Sequence, residues 1–472
     1  MSSAVSVTAE VEREHGDACR VTPGGKRVVI LGGGFGGVYT ALELEKTLAR
    51  DPDVEVTLVN RENFFLFTPM LHEVASSDLD MTNIVNPIRK LLRRVNFFHG
   101  DVDVIDLETR QIHVSHGQTN HGHILTYDHL VLALGSITNF YNLPGLAERA
   151  LTMKSLGDAI YLRNRMIAHL EEANFECAAS MREPLLTFVV AGGGFAGVET
   201  IAGMNDFLRE ALPFYPNLRA DMLRLVLVHS GQIILPELGE ALGRYAHRKL
   251  ADRGVDIRTG VKVTGLSDRE VTLSDGSRIT TCTVLWTAGT APNPILATLP
   301  CKTQGGRLLV NEHLEVPDWP GVWALGDCAL IPDKLTGGYH PPTGQHALRE
   351  GKIAARNVTA AIRGGSKQPF RFKTLGQLAA IGRRTGVARI LGVNFSGFIA
   401  WSLWRGIYLS KLPRIEKKLR VLIEWTLDML FAKDLVQFQT TRGSAISHAE
   451  NGQSSPAVPA SLQPIGVTGG QP

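Results

Sequence analysis

Residues 26–37 read KRVVILGGGFGG, and this stretch decides the fold. Its first half, Lys26–Leu31, has the length and apolar content of a short buried strand. The glycines lead into a helical segment at Val38–Leu48, and a second strand follows at Val54–Val59. Strand, glycine turn, helix and strand make a βαβ unit, whose two strands lie parallel in one sheet. The stretch therefore predicts an α/β protein of the doubly wound class.

The same pattern occurs a second time. A strand is predicted at Leu185–Val190, the run GGGFAG occupies residues 192–197, and a helix and a strand are predicted at Val198–Leu212 and Leu223–Val228. A repeated βαβ unit indicates two domains built in the same way. We therefore expect two Rossmann-like domains, each able to bind a dinucleotide.

Each glycine run matches the pattern G-x-G-x-x-G between a strand and a helix. The first glycine permits the tight turn, the second lets the backbone approach a pyrophosphate, and the third lets helix and strand pack closely. The N-terminus of the helix then offers free N–H groups to the phosphates. One such match is often only a glycine-rich turn, but two in the same context predict two dinucleotide sites. The matching residues are Gly32, Gly34 and Gly37 in the first loop and Gly192, Gly194 and Gly197 in the second.

The acidic residue that usually ends the second strand of such a unit is absent from both halves. The first site has Asn60 followed by Arg61, and the second has His229. Without the acid, nothing at the second site repels the 2′-phosphate of NADPH. Two interpretations stay open: the site accepts NADPH as well as NADH, or His229 only caps the strand and the preference for NADH survives.

Composition excludes several classes of function. A length of 472 residues predicts two or three domains, and a net charge of +3 gives no indication of nucleic-acid binding. Residues 1–25 are polar and are expected to be a flexible start rather than a signal peptide. No stretch reaches the roughly 18 apolar residues of a membrane span. No His, Cys and acid cluster has the spacing of metal ligands, so no metal is expected.

The five cysteines argue against thiol chemistry. They form no CxxC or CxxxxC pair, which excludes a disulfide reductase and favours a reducing compartment. Sulfide oxidation needs two suitably placed thiols, and only Cys177 and Cys328 are candidates. Buried cysteine acting as a small hydrophobe is the favoured interpretation.

Further motifs carry a family resemblance. The segments YDHLVLALGS (127–136), VLWTAGT (284–290) and GVWALGDCA (321–329) resemble motifs of flavoproteins that bind two dinucleotides. The segments NFFLFTPML (63–71), GVE (197–199) and PPTGQHA (341–347) look like those of type II NADH dehydrogenases, the single-subunit, non-pumping NADH:quinone oxidoreductases. The resemblance covers roughly residues 26 to 435.

The resemblance implies which ligand occupies each loop. The first would hold FAD and the second NADH, with NADPH as an alternative. Glu199 would reach the junction of nicotinamide and flavin, where it could orient the nicotinamide or relay a proton; otherwise it is a first-turn carboxylate that favours the helix dipole. Gln345 would contact the flavin on the acceptor side, and the adjacent His346 is either a proton carrier or structural. The remaining implied contacts are Phe35, Asn60, Arg61, Val102, Ala133, Gly135 and Asp327 to FAD and His229 and Gly289 to the nicotinamide nucleotide.

One residue departs from the family pattern. The quinone site of the family has a second Gln four residues after the first, and here that position is Arg349. Arg349 could bind a different acceptor or form a structural ion pair. The departure puts the quinone site in doubt but leaves the flavin site unaffected.

The segment 397–431 is rich in Trp, Tyr, Lys and Arg, the composition of a helix that lies on an anionic membrane. Ile415, Leu419, Leu422, Ile423 and Leu430 share one helical face. An ordinary packing or dimer helix pair is the alternative, so a homodimer stays open. With the resemblance, we expect a peripheral membrane protein on the cytoplasmic face of the inner membrane.

These observations predict a domain order. An FAD domain comprises 26–150 and 300–370, a NAD(P)H domain comprises 151–299, a membrane-association or dimer domain comprises 371–439, and 440–472 is a disordered tail. The predicted activity passes hydride from NADH or NADPH to FAD and two electrons to a membrane quinone of the respiratory chain, without proton pumping. Two alternatives stay open: a reductase with a soluble, non-quinone acceptor, and a slow-turnover flavoprotein that signals its NAD(P)H-bound state.

Overall fold

The computed structural model describes residues 25–438. The predicted flexible start and disordered tail lie outside this range, apart from Gly25. Internal contacts divide the chain after Leu435, and residues 436–438, the described part of the second unit, have no regular secondary structure. The helices of the described range, in chain order, are α1 (Phe35–Leu44), α2 (Leu71–Ala75), α3 (Ile88–Leu91), α4 (Leu146–Arg149), α5 (Leu156–Phe175), α6 (Ala179–Leu186), α7 (Phe195–Ala211), α8 (Glu240–Ala251), α9 (Gly344–Arg363), α10 (Gly397–Lys411) and α11 (Ile415–Asp428).

Two parallel sheets organise the fold. The first has five strands in the order Val322–Ala324, His129–Leu132, Lys26–Leu31, Val54–Asn60 and Asn96–His99, all parallel. The second has four, in the order Val255–Thr259, Arg224–His229, Thr187–Ala191 and Thr283–Trp286, also parallel. The doubly wound α/β class with two Rossmann-like sheets is thereby confirmed. The domain limits at 150, 299 and 370 stay a prediction.

Smaller antiparallel sheets surround them. Residues Asp101–Asp106, Gln111–His116 and His121–Thr126 form one meander, and Val263–Leu266, Glu270–Leu273 and Arg278–Thr280 form another. Residues Gly376–Ala380, Gly386–Ile390 and Val393–Ser396 form a third antiparallel sheet. Shorter strand pairs join Ser136–Thr138 to Thr290–Pro292, Phe64–Leu66 to Val85–Pro87, and Pro332–Asp333 to Gly338–Tyr339, and Thr303–Gln304, Arg307–Leu309 and Ala329–Leu330 complete the list.

Most predicted elements are present, with shifted ends. Helix α1 stops at Leu44, and a separate 3₁₀ turn covers Leu48–Arg50. Leu185 and Leu186 end α6, so the strand predicted from Leu185 begins at Thr187. Apolar residues alone do not distinguish a buried helix end from a buried strand, which explains this shift.

The predicted C-terminal helices form as α10 and α11. None of the helices in residues 25–438 is long and apolar enough to span a bilayer. On α11 the inward face carries Val421 and Trp425, both buried, with the stem of Lys417. The predicted apolar face points outward, and its residues are among the most exposed of the structure: Ile415 at 71%, Leu419 at 55%, Leu422 at 49%, Ile423 at 59% and Leu430 at 72%.

Candidate functional site

The two glycine loops share one geometry. The first glycine of each loop has a positive φ, +104° at Gly32 and +124° at Gly192, which L side chains rarely adopt. A Cβ on the third glycine would lie 1.8 Å from the Gly32 carbonyl oxygen at Gly37, and 1.9 Å from that of Gly192 at Gly197. Only glycine therefore lets each helix begin directly against its strand.

The middle glycines face open space. A Cβ at Gly34 or Gly194 would meet nothing within 4 Å. Both residues begin their helices, and neither helix has a side-chain cap or an acidic residue in its first turn. The first N–H groups of α1 and α7 are thus available to an anion, and the helix dipoles favour one. This cradle fits the pyrophosphate of a dinucleotide at each loop.

The residues that end the second strands brace the loops. The Gly33 N–H donates to Asn60 Oδ1 over 2.6 Å, and Asn60 Nδ2 donates to the Glu62 carbonyl over 2.7 Å. In the second half the Gly193 N–H donates to His229 Nδ1 over 3.2 Å. Because Nδ1 accepts, the neutral ring carries its proton on Nε2, and burial lowers the pKa of His229. Sequence reasoning missed this bracing role.

The structure brings Arg61 and Val102 next to Asn60. The Gly100 N–H donates to the Asn60 carbonyl over 3.1 Å. Arg61 is exposed, and its Nε lies 3.9 Å from an Asp101 carboxylate oxygen. Val102 follows on the meander strand Asp101–Asp106. Asn60 and Arg61 therefore lie at the carboxyl end of the strand Val54–Asn60, and the predicted contacts of Arg61 and Val102 to FAD stay a prediction.

The segment GVWALGDCA (321–329) places Asp327 beside the first sheet. Its Oδ2 accepts from Ser136 Oγ over 2.7 Å, and Lys154 Nζ lies 3.3 Å from the same hydroxyl. Burial lowers the pKa of Lys154. An ionised carboxylate accepting from a hydroxyl suits a polyhydroxylated ligand such as the ribityl chain. Lys154 carries no recognised motif, and sequence reasoning did not identify it.

The remaining predicted backbone contacts lie in two segments, YDHLVLALGS (127–136) and VLWTAGT (284–290). The Ala133 carbonyl lies against Gly32, so close that a Cβ there would be 2.3 Å from its oxygen. Gly135 has a φ of +67° with open space above it. Gly289 has a φ of +146°, and the Tyr141 ring lies directly over it. Ala133 thus lies against the first glycine loop, and the cofactor contacts of Ala133, Gly135 and Gly289 stay a prediction.

Glu199 is buried where α7 meets the C-terminal sheet and α10. Its Oε1 accepts from the Ala380 N–H over 3.0 Å and from Trp404 Nε1 over 2.9 Å. Its Oε2 lies 3.8 Å from His72 Nδ1. Burial raises the pKa of Glu199 to about 8, although both donors oppose this rise. The carboxyl group therefore holds its proton at neutral pH. Glu199 lies beyond the first turn of α7, so the alternative of a first-turn carboxylate that favours the helix dipole is wrong.

The acceptor-side residues lie at the start of α9. Gln345 Nε2 donates to the Gly376 carbonyl over 3.2 Å, and Gly344 packs on the Phe35 ring. His346 is buried, Thr343 Oγ1 lies 2.7 Å from its Nδ1, and burial lowers its pKa to about 4. The ring is therefore neutral at neutral pH and is hydrogen-bonded to Thr343. Gln345, by contrast, joins the first loop to the C-terminal sheet.

Arg349 is held by its own surroundings. Its guanidinium lies 4.0 Å from the centre of the Phe372 ring and donates from NH1 to the Gln345 carbonyl over 2.7 Å. Among the ion pairs of residues 25–438, none involves Arg349. The structural ion pair considered above is thus not formed, and a positive charge lies one turn from Gln345.

The two candidate thiols, Cys177 and Cys328, do not form a reactive pair. Cys177 is exposed, whereas Cys328 is buried and its Sγ donates to the carbonyls of Leu132 and Leu325. Burial raises the pKa of Cys328 to about 11, so it stays a thiol at neutral pH. Within the described residues no group of three or more metal-ligating side chains is placed to hold an ion. An open groove of about 570 Å³ along the Asp101–Thr126 meander includes none of the predicted site residues.

Two open glycine loops, a braced strand end at each and a carboxylate beside the first sheet define a protein that binds two dinucleotides. Residues 26–351 match the pyridine nucleotide-disulphide oxidoreductase family, and residues 375–434 match the NDH2 C-terminal domain. The chain therefore belongs to the pyridine nucleotide-disulphide oxidoreductases and, within them, to the type II NADH dehydrogenases. The resemblance is thereby confirmed.

Individual relatives agree. The type II NADH:quinone oxidoreductase Ndh of Mycobacterium tuberculosis is 31% identical over 446 residues, which cover 91% of each chain. The demethylphylloquinone reductase NdbB of Synechocystis is 32% identical over 84% of this chain and 95% of its own. A structure of NDH2 from Plasmodium falciparum in complex with NADH has the same fold, with a TM-score of 0.80 at 19% identity, and covers 87% of this chain and 99% of that one.

Proposed function

We propose that this chain oxidises NADH through a bound FAD and reduces a membrane quinone. The carrying observation is the pair of equivalent, open glycine loops, one flanked by Asp327 and the other by Glu199. FAD at the first loop supplies the chemistry, because it accepts a hydride and passes on two electrons. The overall reaction is NADH + H⁺ + quinone → NAD⁺ + quinol.

The residues of the chain bind, orient and protonate. Gly34 and Gly194 would present free N–H groups to the two pyrophosphates, and Asp327 would accept from the ribityl hydroxyls. Hydride transfer needs no side-chain base, so a missing catalytic triad is no objection. Glu199 would act as the proton donor nearest the nicotinamide, because it is protonated and shielded from bulk water by Trp404. Gln345 would contact the acceptor side.

NADH rather than NADPH is the proposed donor. The 2′-phosphate of NADPH is best held by a cation, and His229 is neutral because burial lowers its pKa. The domain division at 26–150 with 300–370, 151–299 and 371–439 belongs to the same proposal.

Stopped-flow spectroscopy tests the activity. The flavin absorbance should bleach faster with NADH than with NADPH, and a short-chain quinone should then restore it faster than oxygen does. If NADH bleaches the flavin but quinone reoxidises it no faster than oxygen does, the quinone role is refuted. This result would favour a soluble acceptor, for which the Arg349 charge beside Gln345 is the supporting observation. Slow bleaching by both nucleotides would favour the signalling function instead.

The outward face of α11 supports membrane association. Five apolar side chains are 49–72% exposed there, and Lys411, Lys418 and Arg420 flank them. Burying a Leu or Ile side chain contributes about 1.5–3 kcal/mol, and each basic residue adds about 1 kcal/mol on anionic lipid. We place the protein peripherally on the cytoplasmic face of the inner membrane; the same face on two copies would otherwise form a homodimer.

Vesicle binding distinguishes membrane association from a homodimer interface on this face. The double variant Leu422→Glu with Ile423→Glu should lose sedimentation with anionic vesicles by at least about tenfold, because two charges enter the apolar region. Phe175→Glu, at a residue 78% exposed on α5, is the matched control and should bind like the wild type. Unchanged vesicle binding together with a dimer that the double variant dissociates would support the dimer interface instead.

A further inference from the structure

A second buried carboxyl group, which the proposed reaction does not use, lies beside the site. Glu73 on α2 is 5% exposed. Its Oε2 accepts from Trp425 Nε1 over 3.1 Å. Glu199 is held in the same way by the indole of Trp404, and the centres of the two indole rings are 6.4 Å apart. Each C-terminal helix thus contributes one tryptophan to one buried acid.

A small cavity joins these groups. It measures about 40 Å³ and is lined by His72, Glu73 and Glu199. A water molecule needs roughly 10–15 Å³ of such space, so the cavity has room for at least one. Each of the two carboxyl groups has one oxygen, Glu73 Oε1 and Glu199 Oε2, that makes no hydrogen bond in the described part of the chain. Polar atoms that are otherwise unpaired are what retain a buried water.

His72 precedes Glu73 in the chain, lines the same cavity and lies close to Glu199. Its Nδ1 lies 3.8 Å from Glu199 Oε2, and burial lowers the pKa of the ring to about 4. A neutral imidazole accepts a proton at one ring nitrogen and releases one from the other, so it can pass a proton without holding a charge. Burial also raises the pKa of Glu73 to about 8, with Asp78 contributing in the same direction.

Acidic residues surround the outer part of the cavity. They come from the turn after α2, from α7 and from α11: Asp78, Asp206, Glu210 and Asp428. The cations that face the cavity are Arg383, Arg405 and Lys433. Two of these are already paired, since Lys433 Nζ lies 2.5 Å from Asp78 and Arg383 NH1 lies 3.3 Å from Glu210. Arg405 stacks between Trp401 and Trp425. Asp206 is also paired, with Arg253, so Asp428, whose pKa burial raises, is the rim acid without an ion pair in the described part of the chain.

We propose that Glu73 and His72 form a proton relay that reloads Glu199 from the acidic rim of this cavity. The inference rests on the proposed function. In the overall reaction the hydride supplies two electrons and one hydrogen, and the second hydrogen of the quinol is a proton from solvent. Glu199 releases its proton toward the redox centre, and the O–H bond re-forms with a proton that crosses the cavity water. Glu73 and His72 touch no substrate, so both are positioning residues.

The alternative is a purely structural Glu73 that only anchors Trp425. The test uses the full-length holoenzyme and compares Glu73→Gln with Glu424→Gln. Glu424 is a matched control because it is a half-buried acid on α11 that accepts from the Asp80 N–H and Asn83 Nδ2, outside the cavity. Stopped flow follows reduction by NADH and reoxidation by quinone, and a pH-indicator dye follows proton uptake.

The relay predicts a specific pattern. Glu73→Gln should leave reduction by NADH unchanged and slow both reoxidation and proton uptake by on the order of a hundredfold or more, the lower end of the range for a lost proton-transfer group. Glu424→Gln should behave like the wild type. Glu73→Ala enlarges the cavity, and added formate should restore its proton uptake. In difference infrared spectra, a protonated carboxyl band that changes on reduction should be missing from Glu73→Gln.

Two outcomes would overturn the proposed proton relay. Wild-type rates in Glu73→Gln, or a loss in Glu73→Ala that formate does not restore, would make Glu73 structural. A wild-type enzyme that quinone does not reoxidise would instead refute the proposed function itself, and the relay with it, before any variant is compared.

Discussion

Trp404→Phe should move the alkaline limit of quinone reduction to higher pH. The indole donates to Glu199 Oε1 over 2.9 Å, and this bond stabilises the ionised carboxylate more than the protonated acid. A hydrogen bond to a charged group contributes about 1.5–3 kcal/mol and one to a neutral group about 0.5–1.5 kcal/mol. The difference, about 1–1.5 kcal/mol, corresponds to a rise of about 1 in the pKa of Glu199.

The sign follows from the role of Glu199. A proton donor is active while protonated, so activity falls as pH rises through its pKa, which burial sets at about 8. With a pKa near 9 in the variant, the protonated fraction at pH 9 would be roughly fivefold larger than in the wild type. The assay is single-turnover reoxidation by quinone across pH 6–10. Trp401→Phe, on the same helix without a bond to Glu199, is the control.

If the alkaline fall of the reoxidation rate stays at the same pH in Trp404→Phe, or moves to lower pH, this reasoning is refuted. Either result would mean that Glu199 does not supply the proton or that another group sets the pH of this fall. Loss of the buried indole also weakens packing, which would lower the rate at every pH. Therefore only the pH at which the reoxidation rate falls, and not the rate itself, decides whether Glu199 supplies the proton.

Two further substitutions test the nucleotide loop and a buried acid. Gly197→Ala places a Cβ 1.9 Å from the Gly192 carbonyl oxygen; the enzyme should keep its flavin but bind NADH at least about tenfold more weakly by titration, and unchanged affinity would contradict the assignment. Glu350 is buried, accepts from the Gly326 N–H over 2.8 Å, and has a pKa raised by burial to about 8. Its folded-state pKa exceeds the unfolded value, so stability falls as pH rises from about 4.5 to about 8. Glu350→Gln should therefore gain roughly 2–3 kcal/mol on the wild type between pH 6 and pH 8 in urea denaturation, and an equal difference at both pH values would contradict this.

The glycine loops could be predicted from sequence because their determinants are local. A turn with positive φ and a close helix–strand contact both depend on glycines at fixed spacing, and the strand and helix are adjacent in the chain. The bracing by Asn60 and His229 could not be predicted. It depends on a side chain that folds under a loop 27 or 36 residues earlier, and no periodicity records this.

Glu199 was identified, but its surroundings were not. Trp404 lies 205 residues further along the chain and Ala380 lies 181 residues further, so tertiary packing alone brings them together. The direction of α11 shows a similar limit. Periodicity predicted an apolar face correctly, yet it could not tell that Trp425 and Val421 would face inward. Packing of two large side chains against α2 and α10 decides the orientation.

The tryptophans of α10 and α11 have a practical consequence for anyone who wants a water-soluble form of this enzyme. Deleting the two helices would remove the indoles that hold Glu199 and Glu73 and would open both acids to bulk water. The two buried acids and the two C-terminal helices are thus not separable modules. A more soluble form is better sought by substituting the exposed apolar residues of α11 with polar ones, one at a time, while its buried residues stay unchanged.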